Sequence, residues 1–244
     1  MDEGQYLPFQ VERRLPLRSL LICLTGAIMA VAIGIYGGRV GFTTLPPSLL
    51  IFGGLMPLMM IGQLPTLAYY ALSPRKLSLD EQAMIHGGKI YPYAEMISIG
   101  SYVSKAATQI RMVNGKQLLL RWDVWLGCEI WERILEAKTL PHLHRKACDA
   151  LERGEKVGFG PGASLGQKTL SLREGDVAIT AISSIRFVNE SNMGAQRRIL
   201  HVADERRELT VDEDQLCNQH VMLTLLAEKL AARDADETVS AEKS

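Results

Sequence analysis

Hydrophobic and polar positions divide this chain into two unlike parts. From Ser19 to Tyr36 (SLLICLTGAIMAVAIGIY) and from Ser48 to Ala71 (SLLIFGGLMPLMMIGQLPTLAYYA) the apolar run is almost unbroken. A helix rising ~1.5 Å per residue needs about 20 residues to cross the ~30 Å hydrocarbon layer of a bilayer. In lipid every backbone N–H must be satisfied inside its own segment, so both runs are expected to be membrane helices. Pro57 and Pro65 are expected to kink the second. Gln63 is its one strongly polar side chain, and Tyr69 and Tyr70 fall where an interfacial aromatic belt would lie. Neither run has the polar face of a soluble surface helix. The segment before the first run is long for a cleaved signal peptide. The expectation is therefore an integral two-helix hairpin over 19–72.

Beyond the hairpin the pattern changes to short alternating runs. Leu77–Leu79, Ala83–His86, Lys89–Tyr93, Met96–Val103, Gln109–Val113 and Lys116–Trp122 read as strands. Gly87-Gly88 and Asn114-Gly115 lie between neighbouring runs and suit the positive φ angles of tight hairpin turns. A helix is expected from Val124 to Ala137, with Trp125, Ile130, Trp131, Ile134 and Leu135 as its apolar face. Pro141 is expected to end it, and a second helical stretch to reach Arg153. Strands then return at Lys156–Phe159, Lys168–Leu172, Val177–Thr180, Ile182–Val188, Ile199–Ala203 and Arg207–Val211. A closing helix follows, capped by Asp212 or Asp214 and running to Ala232. The segments Lys76-Leu77-Ser78-Leu79-Asp80-Glu81 and Thr169-Leu170-Ser171-Leu172-Arg173-Glu174 are alike. Each is followed by an Ile-Ser pair, a hairpin and one amphipathic helix, which marks a weak internal repeat.

This layout predicts a segment 1–18 on the near side of the membrane and a hairpin with spans at 19–36 and 48–71. A module at 76–153 with a helical linker, a second at 156–232 and a polar, disordered tail at 233–244 complete it. Several short pieces carry a resemblance to the pleckstrin-homology superfold, and to the bacterial PH-like membrane proteins in particular. They are Leu77-Ser78-Leu79-Asp80, Glu95-Met96-Ile97, the Asn114-Gly115 hairpin and the helix around Trp131. In the second half they are Phe159-Gly160, Leu170-Ser171-Leu172 and the stretch from Asn218 to Leu226. The resemblance covers residues 76–232. It implies a two-helix transmembrane hairpin followed by α+β, PH-like modules, each a small β-barrel or sandwich closed by a C-terminal helix. It implies fold and anchoring but no activity, since superfolds host unrelated functions.

Charge sharpens the picture. The chain has 27 basic and 27 acidic residues, which argues against a nucleic-acid partner. All but seven of these charges lie from Arg75 onward. Arg13, Arg14, Arg18, Arg75 and Lys76 flank the outer ends of the spans, whereas the connecting loop carries Arg39 alone. The excess of basic residues predicts both termini in the cytoplasm of a multi-pass cell-membrane protein. Gly26, Ala30, Gly34 and Gly38 recur every fourth residue, so they share one face of the first span. There they would pack closely against the second span, a second copy or a partner's membrane helix.

Candidate chemistry is sparse. The four cysteines include no Cys-x-x-Cys pair, so neither a zinc site nor a disulfide framework is expected. His142, His144 and Cys148 lack a fourth ligand. The glycines from Gly158 to Gly166 do not make a phosphate loop, because Pro161 removes an N–H and no Gly-Lys-Ser/Thr follows. No catalytic residue, metal or cofactor is expected. Arg197, Arg198, Arg206 and Arg207 flank one predicted hairpin and are the candidates for binding anionic lipid or a partner. The expectation is a membrane-anchored, non-catalytic interaction or scaffold protein, an accessory subunit of a membrane complex. An anionic-lipid sensor is the alternative, and a transporter or enzyme component ranks lowest.

Overall fold

The computed structural model describes residues 8–41, 46–102, 106–192 and 195–241. The side chains at 40, 50, 52–54, 192, 195, 196, 234 and 236–241 lie outside the description. Two helices, α1 (Leu17–Val40) and α2 (Pro47–Leu72), are each long and apolar enough to cross a membrane. They pack side by side. Pro57 and Pro65 sit inside α2 without ending it. Gln63 finds its partner across the pair, its Oε1 accepting from the Ser19 hydroxyl at 2.8 Å.

The short strand β1 (Phe9–Glu12) precedes α1, and it pairs antiparallel with β2 (Lys76–Leu79), which follows α2. The hairpin of two apolar helices is thus an insertion between two neighbouring strands of one sheet. Residues 9–12 therefore belong to the first sheet, where the sequence alone suggests only an N-terminal segment before the first helix. The sheet continues through β3 (Ala83–His86) and β4 (Lys89–Pro92) in the order β1-β2-β3-β4. After a 3₁₀ turn at Tyr93–Glu95 come β5 (Met96–Tyr102), β6 (Ala107–Met112) and β7 (Gln117–Arg121), again an antiparallel meander. Alternation places Leu77, Leu79, Met84, Met96, Ile99, Ile110, Met112 and Leu120 inward, around fully buried Trp125 and Trp131.

The second unit repeats the plan. A four-stranded sheet runs β8 (Val157–Gly158), β9 (Ala163–Leu165), β10 (Thr169–Leu172) and β11 (Gly175–Ala178). After a 3₁₀ turn at Ile179–Ala181 follow β12 (Ser184–Asn192), β13 (Ala195–Ala203) and β14 (Glu208–Asp212). A 3₁₀ turn at Glu213–Gln215 leads into the last helix, α4 (Gln219–Ala241). Counted within its sheet, the first Leu-Ser-Leu segment is the second strand and the other is the third. The repeat is real in element order, but those two landmarks do not occupy equivalent strands. The polar stretch expected to be a disordered tail continues α4 as far as Ala241, since AARDADETVSA contains neither glycine nor proline to stop it.

One helix joins the units. Helix α3 (Cys128–Glu152) is continuous through Pro141, where the sequence predicts a break. Trp131 and Leu135 lie in the first core, whereas Leu143, Ala147 and Leu151 lie in the second. These residues recur every fourth position, so one stripe serves both cores. Burial of that stripe on both sides of Pro141 offsets the lost hydrogen bond, which costs ~3 kcal/mol or more in an unsupported helix.

A second seam is polar. Asn218 has φ +52° and turns its amide onto the edge of β5. Its Oδ1 accepts from the Ile99 N–H at 2.8 Å, its Nδ2 donates to the Ile97 carbonyl at 2.9 Å, and its own N–H donates to the Ile99 carbonyl at 2.6 Å. Gly100 allows the close approach, because a Cβ there would lie 3.3 Å from the Leu216 carbonyl oxygen.

The hairpin is tied to the first unit at its base. Arg13 Nη1 donates to the Tyr70 and Ser73 carbonyls, each at 2.6 Å, with its guanidinium 4.5 Å from the Tyr70 ring centroid. Tyr69 donates its hydroxyl to the Leu119 carbonyl and accepts from Trp125 Nε1 at 3.0 Å. Arg121 Nη2 reaches Thr66 Oγ1 at 2.8 Å. Tyr69 and Tyr70 thus clamp the helix end to the sheet, beyond the interfacial role expected of them.

Of the four small residues on the first span, Gly26 is the one buried against α2, where an added Cβ would meet the Met60 side chain at 2.7 Å. Ala30 is exposed within the chain, and Gly34 and Gly38 have no atom within 4 Å of an added Cβ. Gly26→Leu should therefore cost about 1–3 kcal/mol through overpacking. Gly34→Leu should stay within about 0.5 kcal/mol. Thermal unfolding of both variants in detergent checks this, and equal losses would overturn the stated helix pairing.

Candidate functional site, the cleft between the two units

Helix α3 presents Glu129, Glu132, Arg133 and Glu136 on one side, at the three- and four-residue spacing that places side chains on a shared face. That face forms one wall of a cavity of about 510 Å³ between the units. Ser101 and Trp122 of the first unit border it. From the second come Asn189, Glu190 and Ser191 at the end of β12, Arg197 and Arg198 at the start of β13, Glu213 of the last 3₁₀ turn, and Gln219.

Its three innermost carboxylates differ in how they are held. Glu132 is braced: its Oε1 accepts from Ser101 Oγ at 3.0 Å, from Trp122 Nε1 at 3.1 Å and from the Thr108 hydroxyl. Burial pushes its proton affinity up, and these hydrogen bonds oppose the rise. Glu213 is 3% exposed, and burial raises its pKa too. Its Oε1 accepts from Gln219 Nε2 at 2.9 Å and lies 3.4 Å from Arg198 Nη1, while its Oε2 has no partner among the described residues. Glu136 has its pKa pushed up to about 7, first by burial and then by the charges of Glu132 and Glu213, with Arg133 and Arg198 opposing.

His220 Nδ1 approaches Glu136 Oε1 at 3.9 Å, but burial lowers the imidazole pKa to about 4. At neutral pH the ring is uncharged, so this approach is not an ion pair. Arg198 is steadied from behind by the Phe187 ring, 4.5 Å from its guanidinium carbon.

The raised Glu136 pKa has a consequence for stability. An unfolded glutamate loses its proton near pH 4.5 and the folded one near pH 7, so folding is progressively penalised as pH rises between those values. Glu136→Gln removes the penalty. It should match the wild type near pH 4 and be more stable by about 1–2 kcal/mol at pH 8, a figure discounted for partial exposure. Denaturant unfolding of both proteins at the two pH values decides it. An equal or lower stability of the variant at pH 8 would refute the buried, charged state.

The sequence singles out Arg197, Arg198, Arg206 and Arg207 as one group, and the structure divides them. Arg197 and Arg198 reach the cleft. Arg206 and Arg207 lie past the other end of β13, in the turn built on Asp204, whose Oδ1 accepts both of their backbone N–H groups at 2.8 Å. Arg207 also pairs with Asp204 and donates to the Asp176 carbonyl. The four do not form a single basic patch. The cleft carboxylates escape sequence reading because Glu213 meets Glu132 and Glu136 only through the fold. The acidic side of α3 was the one signal available.

Among the described residues no group of three or more histidine, cysteine, aspartate or glutamate side chains is placed to hold a metal ion. All four cysteines are free. His144 and Cys148 share a side of α3, with Sγ 3.7 Å from Nδ1, and His144 Nε2 lies 3.0 Å from Glu228.

No protein-family model matches this chain. No curated protein and no solved structure matches it either.

Proposed function

We propose that this is a membrane-anchored, non-catalytic interaction protein in which two PH-like units are held as a platform at the bilayer, with both termini in the cytoplasm. The observation that carries this reading is the insertion of the hairpin between β1 and β2, pinned to the first unit through Arg13, Tyr69 and Arg121. A hairpin joined by a flexible linker would serve merely to localise. One hydrogen-bonded into a sheet also fixes how the attached surface faces the membrane and its neighbours. The PH-like assignment is supported by each unit having a four-strand meander, a three-strand meander and then one helix against its core. The cytoplasmic assignment rests on the basic residues flanking the spans.

The cleft is the surface best suited to a partner, because both units and their shared helix build it. Recognition of anionic lipid by the four arginines is the weaker reading, since they occupy opposite ends of β13. Extraction in mild detergent, recovery through a C-terminal tag and mass spectrometry test the proposal. A stoichiometric membrane partner is the expected result. Recovery of the protein alone, or with lipid only, would overturn it.

A further inference from the structure

We propose that the cleft between the two units is a receptor for a guanidinium or ammonium side chain carried on an extended segment of a partner protein. This rests on the interaction reading above and adds the chemistry of what is bound.

The cleft leaves carboxylate oxygens without donors although donors line it. Among the described residues Glu213 Oε2 is buried and unpartnered, and the nearest charged partner of the Glu136 carboxylate is His220 Nδ1 at 3.9 Å, beyond hydrogen-bond distance. Among the described residues the only side-chain oxygen of Glu132 engaged is Oε1. A buried acceptor left unpaired costs about 1–3 kcal/mol, so Glu213 Oε2 favours a donor-rich cation, and the partly exposed oxygens of Glu132 and Glu136 lie beside it to share one. A guanidinium supplies five N–H donors in a planar fork that matches carboxylates.

Three of the chain's own arginines, Arg133, Arg197 and Arg198, line the cleft, yet among the described residues only Arg198 comes within 4.0 Å of a cleft carboxylate, at Glu213 Oε1. It is 46% exposed and lies over the Phe187 ring. The depressed affinity of Glu136 for being charged reports the same deficit, because mutual repulsion of the carboxylates is among its causes.

The form of the ligand follows from the second wall. Strand β12 pairs with β13 on one side and is an edge of its sheet. Asn189, Glu190 and Ser191 bring that edge to the cleft. An extended segment can add to a sheet edge through its backbone while one side chain enters a neighbouring pocket.

The probe is an acetylated, amidated pentapeptide with arginine at its centre, titrated into the full-length protein in nanodiscs. Its counterpart carries the neutral isostere citrulline at that position. The readout is the indole N–H resonance of Trp122, which donates to Glu132 and Thr108 at the cleft wall. Saturable movement of that resonance is expected with the arginine peptide, and binding at least about tenfold weaker with citrulline. Glu136→Gln and Glu213→Gln should each weaken the arginine peptide about tenfold, and the remote Glu155→Gln should not. Dispersed indole resonances verify that each variant is folded, and Glu136→Gln decides alone if Glu213→Gln is not.

Equal binding of the two peptides, indifference to both cleft substitutions, or no saturable shift would overturn the inference. Co-purification separates it from the broader reading. A native partner retained equally by Glu136→Gln would leave the interaction protein standing and remove the cation receptor. Peptide binding with no partner recovered would do the reverse.

Discussion

Deletion of residues 1–13 is expected to unfold the first unit while the second stays folded. In register, Phe9 faces Leu79, Gln10 faces Ser78, Val11 faces Leu77 and Glu12 faces Lys76. Losing that strand exposes β2 as a raw edge and removes Val11, 5% exposed, from the core shared with Trp125. It also removes Arg13, whose guanidinium closes the carbonyls of Tyr70 and Ser73 at the C-terminal end of α2 and whose N–H donates to Arg75. A buried valine contributes about 1.5–3 kcal/mol, and each net hydrogen bond about 0.5–1.5. Their sum, on the order of 5 kcal/mol, is comparable to the whole stability of a small domain. Amide hydrogen exchange in nanodiscs reads this out strand by strand. Protection should collapse in β2, β3 and β5–β7 and persist in β10, β13 and β14. Native protection of β2 in the truncated protein would show that the β1 pairing contributes nothing. Val11→Asp should reproduce the result in milder form.

That strand also shows where the sequence stops being readable. The two long apolar helices are visible because their signal is local: each is one nearly unbroken apolar run. The Gly87-Gly88 and Asn114-Gly115 hairpins are visible for the same reason, since each turn and its flanking strands lie within a short window, although the second is a longer loop with positive φ at Gly115 and not at Asn114. FQVE carries no such signal. Four residues with one inward side chain become a strand only because β2 is waiting beyond two helices. Strand β9 carries no local signal either, being three residues among glycines, where Gly160 and Gly162 permit close passage beside Gln215. Pro141 was read by its local cost, and the packing on either side of it outweighs that cost. The cleft was the least legible feature, for it joins α3 to residues far along the chain. The apolar stripe of α3 is legible through Trp131 and Leu135, but nothing local marks Glu132 and Glu136 as facing a cleft.

Asn218→Leu is expected to cost about 3–5 kcal/mol and to loosen the two units from each other. The substitution acts twice. It leaves the Ile99 N–H, on a residue 4% exposed, without the Oδ1 acceptor 2.8 Å away, and the Ile97 carbonyl without its donor. It also places a γ-branched side chain at φ +52°, a conformation asparagine tolerates through its short polar side chain and leucine does not. Asn218 further begins α4, its carbonyl accepting from Val221 and Met222 at 3.0 and 3.1 Å. Strain at this point therefore reaches both the seam and the helix. Glycine separates the two causes. Asn218→Gly keeps the backbone angle without penalty, so its loss measures the side-chain hydrogen bonds alone and should be smaller than that of leucine. The sharpest readout is exchange at the Ile99 amide, which should accelerate about a hundredfold or more in the leucine variant. Exchange at Leu200, deep in the second core, should change less. If Ile99 stays as protected as in the wild type, the seam is not held by Asn218, and α3 alone carries the connection between the units. A cleft that needs both walls in register should then bind its ligand as before in Asn218→Leu. If the seam does depend on Asn218, the same variant should lose arginine-peptide binding although every cleft residue is intact.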